Sequence, residues 1–373
     1  MIPYLWVGAL AAAVTAVASI AVLWVSRKYQ LAPEVRERDM HQNPTPRLGG
    51  VAMYIGLLAG MLGVVWFGGN DFAVVLQNTS QLWALLIAVT IIVVVGVIDD
   101  LIDLDWMLKL GAQLVAAGLL AWQGVQILSL PLGNTLIVAS PYINMVLTVF
   151  LMVTVMNAMN FIDGLDGLVA GVALIANLTF FVYTMLLARD LGSAESVSFA
   201  SLIAALLVGV CVGFLPFNWH RAKMFMGDAG ALMIGLLMAT STIMVTGQLN
   251  PASLSTDVVI ASWIPIILPF AVLALPLADL LLAVARRLRA GKSPFSADRH
   301  HLHHKLIDLG HSHTQAAMIF HLWTLVISLA CLLTFTLEGY TIPILVLVIG
   351  CGLCLVVTLV PASRAKTLLR LHS

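Results

Sequence analysis

Apolar runs of about twenty residues follow one another along almost the whole of this 373-residue chain, and they constrain its fold more than any other feature. As an α-helix, a run of that length rises about 1.5 Å per residue and crosses the roughly 30 Å hydrocarbon core of a bilayer. Eleven candidate spans can be marked, at 3–25, 48–67, 82–98, 107–126, 141–159, 165–187, 199–217, 229–246, 258–284, 314–337 and 342–360. The composition is 61% hydrophobic and 10% charged, against about 25% charged in a soluble domain. Eighteen acids and eighteen bases cannot make a polar skin for a chain of this size. The expectation is an all-α polytopic membrane protein forming one membrane domain over 1–373. Zero net charge excludes a basic nucleic-acid binder. The first run is too long for a cleaved signal, and no basic residue precedes it. Cys211, Cys331, Cys351 and Cys354 all lie in apolar runs, so no disulfide framework is expected, and Cys351-x-x-Cys354 reads as lipid-embedded packing. The segment 127–140 is too short to span; with Gly133-Asn134 between two apolar stretches it reads as a small external hairpin.

The basic residues give the direction. Of eighteen Lys and Arg, all but Arg189 fall after spans 1, 3, 5, 7 and 9 or in the C-terminal tail. The positive-inside rule makes that face cytoplasmic. An odd span count then puts the N-terminus outside and the C-terminus inside.

The same alternation sorts the acids. Five are scattered singly on the external side, at Asp71, Asp190, Glu195, Asp257 and Glu338, and thirteen fall on the cytoplasmic side, mostly in clusters. After span 3 comes Asp99-Asp100-Leu-Ile-Asp103-Leu-Asp105, and span 5 ends in Asn157-x-x-Asn160-x-x-Asp163-Gly-Leu-Asp166-Gly. Asn218 and Phe225-Met-Gly-Asp228-Ala-Gly follow span 7; Pro276-Leu-Ala-Asp279 lies in span 9, and Ser293-Pro-Phe-Ser-Ala-Asp298-Arg299-His300-His301-Leu-His303-His304 follows it. Loops two spans apart open on one face, so one composite cytoplasmic site is the economical reading.

Each motif has an ordinary alternative. Acids at a helix end can be solvated caps, but adjacent carboxylates repel and titrate together, which suits them to metal binding or general-base work. The step of three from Asn157 to Asp166 lines one face of a continuing helix with oxygens. Lipid penalises such a face, so it must look into the bundle or a wet cleft. The glycines at 164 and 167 suggest close backbone approach to a ligand. The histidine run with Arg286, Arg287, Arg289, Lys292 and Arg299 reads as an anion-binding loop, its alternative being a patch for acidic lipid heads. Hard oxygens facing a basic loop suggest a divalent cation, magnesium with manganese as the alternative, holding a phosphorylated substrate. No GxxxxGK[ST] loop is present, so P-loop ATP hydrolysis is unsupported.

Taken together, these motifs resemble the bacterial polyprenyl-phosphate N-acetylhexosamine-1-phosphate transferases. The resemblance runs from about Leu31 to His304 and includes His41-x-x-Pro44-x-Pro46-x-x-Gly49-Gly50, DDLID, NAMNFIDGLDG, FMGDAG, PLAD and SPFSADRHHLHH in order. It implies transfer of GlcNAc-1-phosphate from UDP-GlcNAc to undecaprenyl or decaprenyl phosphate, releasing UMP, at the cytoplasmic face of the plasma membrane. It further implies that Asp228 and Asn160 hold magnesium and that Asp99 and Asp100 act on the acceptor phosphate, Asp99 removing its proton. Lys109 would neutralise the diphosphate. Asp166, Asn218 and Phe225 would recognise uridine, Phe225 by stacking. Arg299, His300, His301, His303 and His304 lie on the loop expected at the sugar and phosphates, and Asp163 joins the catalytic group as site lining. A homodimer is an expectation. The Arg-Asp-Met-His wording at 38–41 resembles the actinobacterial branch, implying a decaprenyl carrier and a cell-wall linker. One departure stands out: many relatives carry an Asp in Val-Asp-x-Pro where this chain has Pro33, with Glu34 and Asp39 nearby, so the resemblance assigns that aspartate's role to no residue here.

The reaction suits the residues. An anionic acceptor must attack an anionic donor, so catalysis is mainly positioning and charge neutralisation. A direct transfer and a two-step route through a covalent Asp use the same side chains. A muramoyl-pentapeptide donor is the near rival. A CDP-alcohol phosphotransferase would need an Ala-Arg that the DGLD segment lacks. A cation-coupled transporter would place its acids near the bilayer midplane and show internal repeats.

Overall fold

The computed structural model describes residues 2–31, 45–127, 130–132, 135–137, 140–191, 195–246, 271, 274–289, 291, 302–337 and 339–360. Thirteen α-helices occur among them: α1 Ile2–Lys28, α2 Gly49–Phe67, α3 Ala73–Gln77, α4 Thr79–Ile102, α5 Trp106–Trp122, α6 Pro141–Ile162, α7 Leu168–Leu191, α8 Glu195–Asn218, α9 Gly227–Thr246, α10 Ala274–Arg289, α11 Leu302–Asp308, α12 His313–Thr336 and α13 Thr341–Leu359. Between α5 and α6, β1 Leu130–Leu132 pairs antiparallel with β2 Thr135–Ile137, at the place the sequence suggested a hairpin.

Among the described residues, nine helices (α1, α2, α4, α6, α7, α8, α9, α12 and α13) are long and apolar enough to cross a membrane. This is a multi-pass membrane protein. Two of the eleven expected spans fare differently. The run at 107–126 becomes α5, only 17 residues long, or about 26 Å at 1.5 Å per residue, short of the core thickness. Asp105 caps its start, and Gly124 at φ +91° turns the chain just beyond its end. Most of the run at 258–284 lies outside the described residues, and its described end forms α10, which finishes in Arg286, Arg287 and Arg289.

The bundle is built around α9, buried along nearly its whole length and packed against α2, α4, α6 and α8. Lipid tails are as apolar as leucine, so packing between spans relies on close approach of small residues. A methyl on Gly96 of α4 would overlap Ala229 of α9, and one on Gly235 of α9 would come within 2.6 Å of the Met156 Cα of α6. The Gly209-x-x-x-Gly213 step on α8 lies against the carbonyls of Gly8 and Ala12 on α1, and Gly56 on α2 admits Thr15. At the periphery, α13 packs chiefly on α12 and leaves Ile344, Leu345, Val348, Ile349, Leu353 and Val356 exposed. Such a face would drive aggregation in water but is solvated by acyl chains.

This packing gathers one end of the bundle. The end of α4, the start of α5, the end of α6 and the start of α9 meet there. The chain entering α2 joins them: Phe225 donates its N–H to the Pro46 carbonyl (2.8 Å), while Gly49 and Gly50 donate theirs to the carbonyls of Phe225 (2.9 Å) and Met226 (2.8 Å).

Candidate active site

The acidic stretch at the end of α4 divides into separate jobs. Asp99 accepts from the Leu104 N–H through Oδ1 at 2.8 Å and from Lys109 Nζ through Oδ2 at 3.1 Å. Asp100 points at the start of α9, its two oxygens accepting the N–H groups of Asp228 (3.1 Å) and Ala229 (3.4 Å). A carboxylate there satisfies amides that have no partner within the helix and meets the positive end of its dipole. Asp103, in the left-handed region at φ 56°, turns the chain, and Asp105 caps α5 by accepting the Met107 N–H at 2.8 Å. The reversal brings Lys109 back to Asp99, ten residues earlier. Asp100 and Asp105 thus hold backbone amides at the starts of α9 and α5, while Asp99 meets Lys109.

Lys109 bridges two carboxylates: besides Asp99, its Nζ donates to Asp228 Oδ2 at 3.4 Å. Asn160, on the last turn of α6, donates from Nδ2 to Asp228 Oδ1 at 2.9 Å. Side-chain exposure is 7% for Asp99, 27% for Lys109 and 25% for Asp228, so the group is open to solution on one side. Gly227 shapes the approach: it sits at φ +68°, and a side chain there would overlap Asp100 Oδ2 and the Arg47 carbonyl.

The helix expected to carry Asn157, Asn160, Asp163 and Asp166 on one face does not continue. It ends at Ile162, with Asp163 at its C-cap, and a turn over 163–167 leads into α7. Asn157 faces sideways within the bundle, donating to Gln113 Oε1 at 2.6 Å and to the Val153 carbonyl at 2.8 Å. The Asp163 carboxyl is pushed up to about 7, first by loss of hydration and then by the Asp228 and Asp166 charges, with Arg47 opposing.

A second set of bonds ties the 163–167 turn to the segment after α8. Asp166 Oδ2 accepts from the Ala222 N–H at 3.1 Å and pairs with His220 Nδ1 at 3.0 Å. Asn218 accepts the Gly167 N–H through Oδ1 and donates from Nδ2 to the Met224 carbonyl, both at 3.1 Å. Through these atoms Asp166 and Asn218 hold two loops together at the edge of the site. Phe225, fixed at both backbone groups, is half-buried.

Of the residues singled out in the sequence, Asp99, Asp100, Lys109, Asn160, Asp163 and Asp228 come together at one end of four helices. Asp166, Asn218 and Phe225 form the adjoining wall. Arg299, His300 and His301 lie outside the described residues; His303 and His304 belong to the backbone of α11, and their side chains too lie outside what is described. Asp279 of PLAD is fully buried and accepts the Leu302 N–H at 2.9 Å, tying α10 to the start of α11. Sequence reasoning missed Arg47, Gln113, His220 and His321. Arg47 stood inside the quoted Pro46–Gly49 stretch and His220 just past Asn218. The signal for Gln113 and His321 was a polar side chain within an apolar run.

Among the described residues, no three His, Cys, Asp or Glu side chains form a ready cage for a metal. Magnesium needs none: it takes one or two protein oxygens and completes its shell with water and phosphate. Asp228, with the Asn160 amide beside it, fits that donor set, and a turned amide presents Oδ1 in place of Nδ2.

Partly buried carboxylates bridged by a lysine at one end of an apolar helical bundle are the arrangement of an integral membrane enzyme. The chain belongs to glycosyl transferase family 4, whose model matches residues 82–246, a stretch that holds Asp99, Asp100, Lys109, Asn160, Asp163, Asp166, Asn218, Phe225 and Asp228. It is 38% identical over 367 residues to the decaprenyl-phosphate N-acetylglucosaminephosphotransferase of Mycolicibacterium smegmatis, covering 96% of this chain and 88% of that protein. The Mycobacterium leprae protein of the same name is 36% identical over 323 residues, covering 85% and 80%. The undecaprenyl-phosphate alpha-N-acetylglucosaminyl 1-phosphate transferase of Salmonella typhi is 29% identical over 308 residues, covering 80% and 75%.

Proposed function

We propose that this protein transfers GlcNAc-1-phosphate from UDP-GlcNAc to a polyprenyl phosphate, releasing UMP and forming polyprenyl-diphospho-GlcNAc. The observation that carries it is the Asp99–Lys109–Asp228–Asn160 cluster, in a chain whose relatives with that activity in their names match it over most of its length. The greater identity to the decaprenyl enzymes supports a decaprenyl carrier.

An oxygen of the acceptor phosphate attacks the β-phosphorus of the donor; the new P–O bond forms as the bond to UMP breaks, and UMP leaves with the electron pair. Asp99 takes any proton remaining on the acceptor, whose second pKa is near 6. Lys109, donating to both carboxylates, neutralises charge where the two anions meet. Asp228 and Asn160 would hold magnesium, which supplies charge neutralisation to the diphosphate when bound. Asp100 positions Asp228 by holding its amide. Phe225 stacks on uracil, with Asp166 and Asn218 fixing the loops around it, and Arg299, His300, His301, His303 and His304 meet the sugar and phosphates. The cluster faces the cytoplasm, as the lysine and arginine distribution supports.

The test uses purified protein in detergent with decaprenyl phosphate, magnesium and radiolabelled UDP-GlcNAc, with UDP-GalNAc and UDP-MurNAc-pentapeptide in parallel. Magnesium-dependent label in the organic phase, removed by excess UMP, is the expected result. Label from another donor would change the substrate and keep the family. No lipid product from any donor, with folded protein, would overturn the proposal.

A further inference from the structure

His321 lies on α12, outside the segment that matches the family model and more than 150 positions from the two carbonyls it bonds. It is 7% exposed, in a helix otherwise suited to lipid. An imidazole buried there is costly unless its polar atoms are satisfied. Its Nε2 lies 3.2 Å from the Gly167 carbonyl and 3.3 Å from the Leu168 carbonyl, at the start of α7. Both partners are acceptors, so Nε2 carries the proton and donates.

The surroundings are shaped for this contact. A methyl on Gly171, one turn further along α7, would overlap the imidazole, so the bare backbone there is what admits the ring. Trp219 stacks on the imidazole, with ring centroids 6.1 Å apart and planes 28° apart. Gly167, at φ +71°, lies under that indole, where a Cβ would come within 3.0 Å of Cε3. Gly167 is thus held at its N–H by Asn218, at its carbonyl by His321 and at its α-carbon by Trp219. The residue before it is Asp166, which fastens the same turn to His220 and Ala222.

We propose that His321 is a positioning residue for the nucleotide side of the site: from α12 it pins the 163–167 turn against Trp219 and so fixes the wall that receives the UDP part of the donor. The proposal deepens the function stated above and rests on it for the identity of the donor. It predicts that His321 acts on donor binding and leaves the lipid acceptor unaffected, because its hydrogen bonds and its ring stacking lie on the turn, the first residue of α7 and Trp219.

The experiment compares His321→Leu, His321→Gln and Gly171→Ala with the parent protein, each first shown monodisperse in detergent. Losing one buried hydrogen bond corresponds to about tenfold in an equilibrium. His321→Leu should therefore raise the KM for UDP-GlcNAc about tenfold, with the KM for decaprenyl phosphate and kcat nearly unchanged. His321→Gln, which keeps a donor at similar reach, should stay close to the parent. Gly171→Ala displaces the ring without removing it and should reproduce the Leu effect; it carries the test if His321→Leu does not fold. Amide hydrogen exchange over 163–171 should rise in the Leu and Ala variants, a readout that needs no turnover. An unchanged donor KM with unchanged exchange, equal rises in both KM values, or a Gln variant as impaired as Leu would overturn the proposal. A parent protein without transfer activity, but with the exchange pattern as expected, would remove the proposed donor and leave the positioning role standing.

Discussion

Replacing Lys109 with Met should damage this protein mainly through repulsion, and the distances set the scale. At 3.1 and 3.4 Å from the oxygens of Asp99 and Asp228, the ammonium gains about 5 kcal/mol from each at an effective dielectric of about 20. Lys109 and Asp228 are about one-quarter exposed, so solvent screening removes much of that gross figure. Truncating one member of a partly buried charged pair typically costs about 2–3 kcal/mol. In a chain of this length that corresponds to a fall in Tm of about 3–4 °C. If the same loss falls on the transition state, the transfer rate drops about 30- to 150-fold. The diagnostic variant is the double one. Asp99→Asn alone leaves the Lys109–Asp228 pair intact and should shift Tm little. Asp99→Asn combined with Lys109→Met removes the uncompensated repulsion and should recover at least half of the lost Tm, while activity stays low because the cation and the base are both gone. Thermal unfolding in detergent at low ionic strength, alongside the label-transfer assay, measures both quantities. A double variant whose Tm falls by the sum of the two single effects would show that the three side chains do not act as one electrostatic unit, and the reasoning would fail.

Four further outcomes are expected. Asp228→Asn should abolish transfer without changing membrane insertion or Tm by more than a few degrees; full turnover with magnesium present would remove Asp228 from metal binding. Phe225→Ala should raise the UDP-GlcNAc KM about tenfold, consistent with about 1–3 kcal/mol for base stacking, and an unaltered KM would exclude the stacking role. Gly50→Ala should lower Tm by several degrees, since the new methyl would meet Ala229 within 2.8 Å and overlap the Gly230 amide, a clash of about 1–3 kcal/mol; a parental Tm would show that α2 and α9 can separate there. Burial raises the Asp163 carboxyl to about 7, above its unfolded value of about 3.9. Its proton is then bound more tightly in the folded state, so its stabilising contribution is complete below about pH 4 and is lost as pH rises through 7. In metal-free buffer, Asp163→Asn should flatten the Tm profile between about pH 4 and pH 7 relative to the parent, and parallel profiles would contradict the shift.

The membrane class and the groups available for chemistry were legible in the sequence, because lipid is an unforgiving solvent. Twenty apolar residues in a row have few other uses, and the thirty-six charges of this chain had to collect where water reaches. The clusters at 99–105, 157–166 and 225–230 could therefore be read as one site before any contact was known. Two kinds of information were out of reach. The first was local: the step of three through Asn157, Asn160, Asp163 and Asp166 looks like one helical face, yet the helix stops at Ile162 and sends its last two acids into a turn. The sequence pattern does not show where the helix stops, because the same spacing serves a helix and a helix end. The second was tertiary. Asp99 and Asp100 are neighbours of identical chemistry, but one meets Lys109 and the other holds the first amides of α9, 128 residues away. That division depends on how closely α4 approaches α9, which is set by Gly96 against Ala229. His321 was invisible for the same reason: an imidazole in an apolar run has no assigned role until the fold supplies its partners, in this protein two carbonyls where a distant turn enters another helix. Composition and solvent physics thus fixed the environment and gathered the reactive groups, while the distances between remote residues, and with them each residue's task, came only from the packing of the helices.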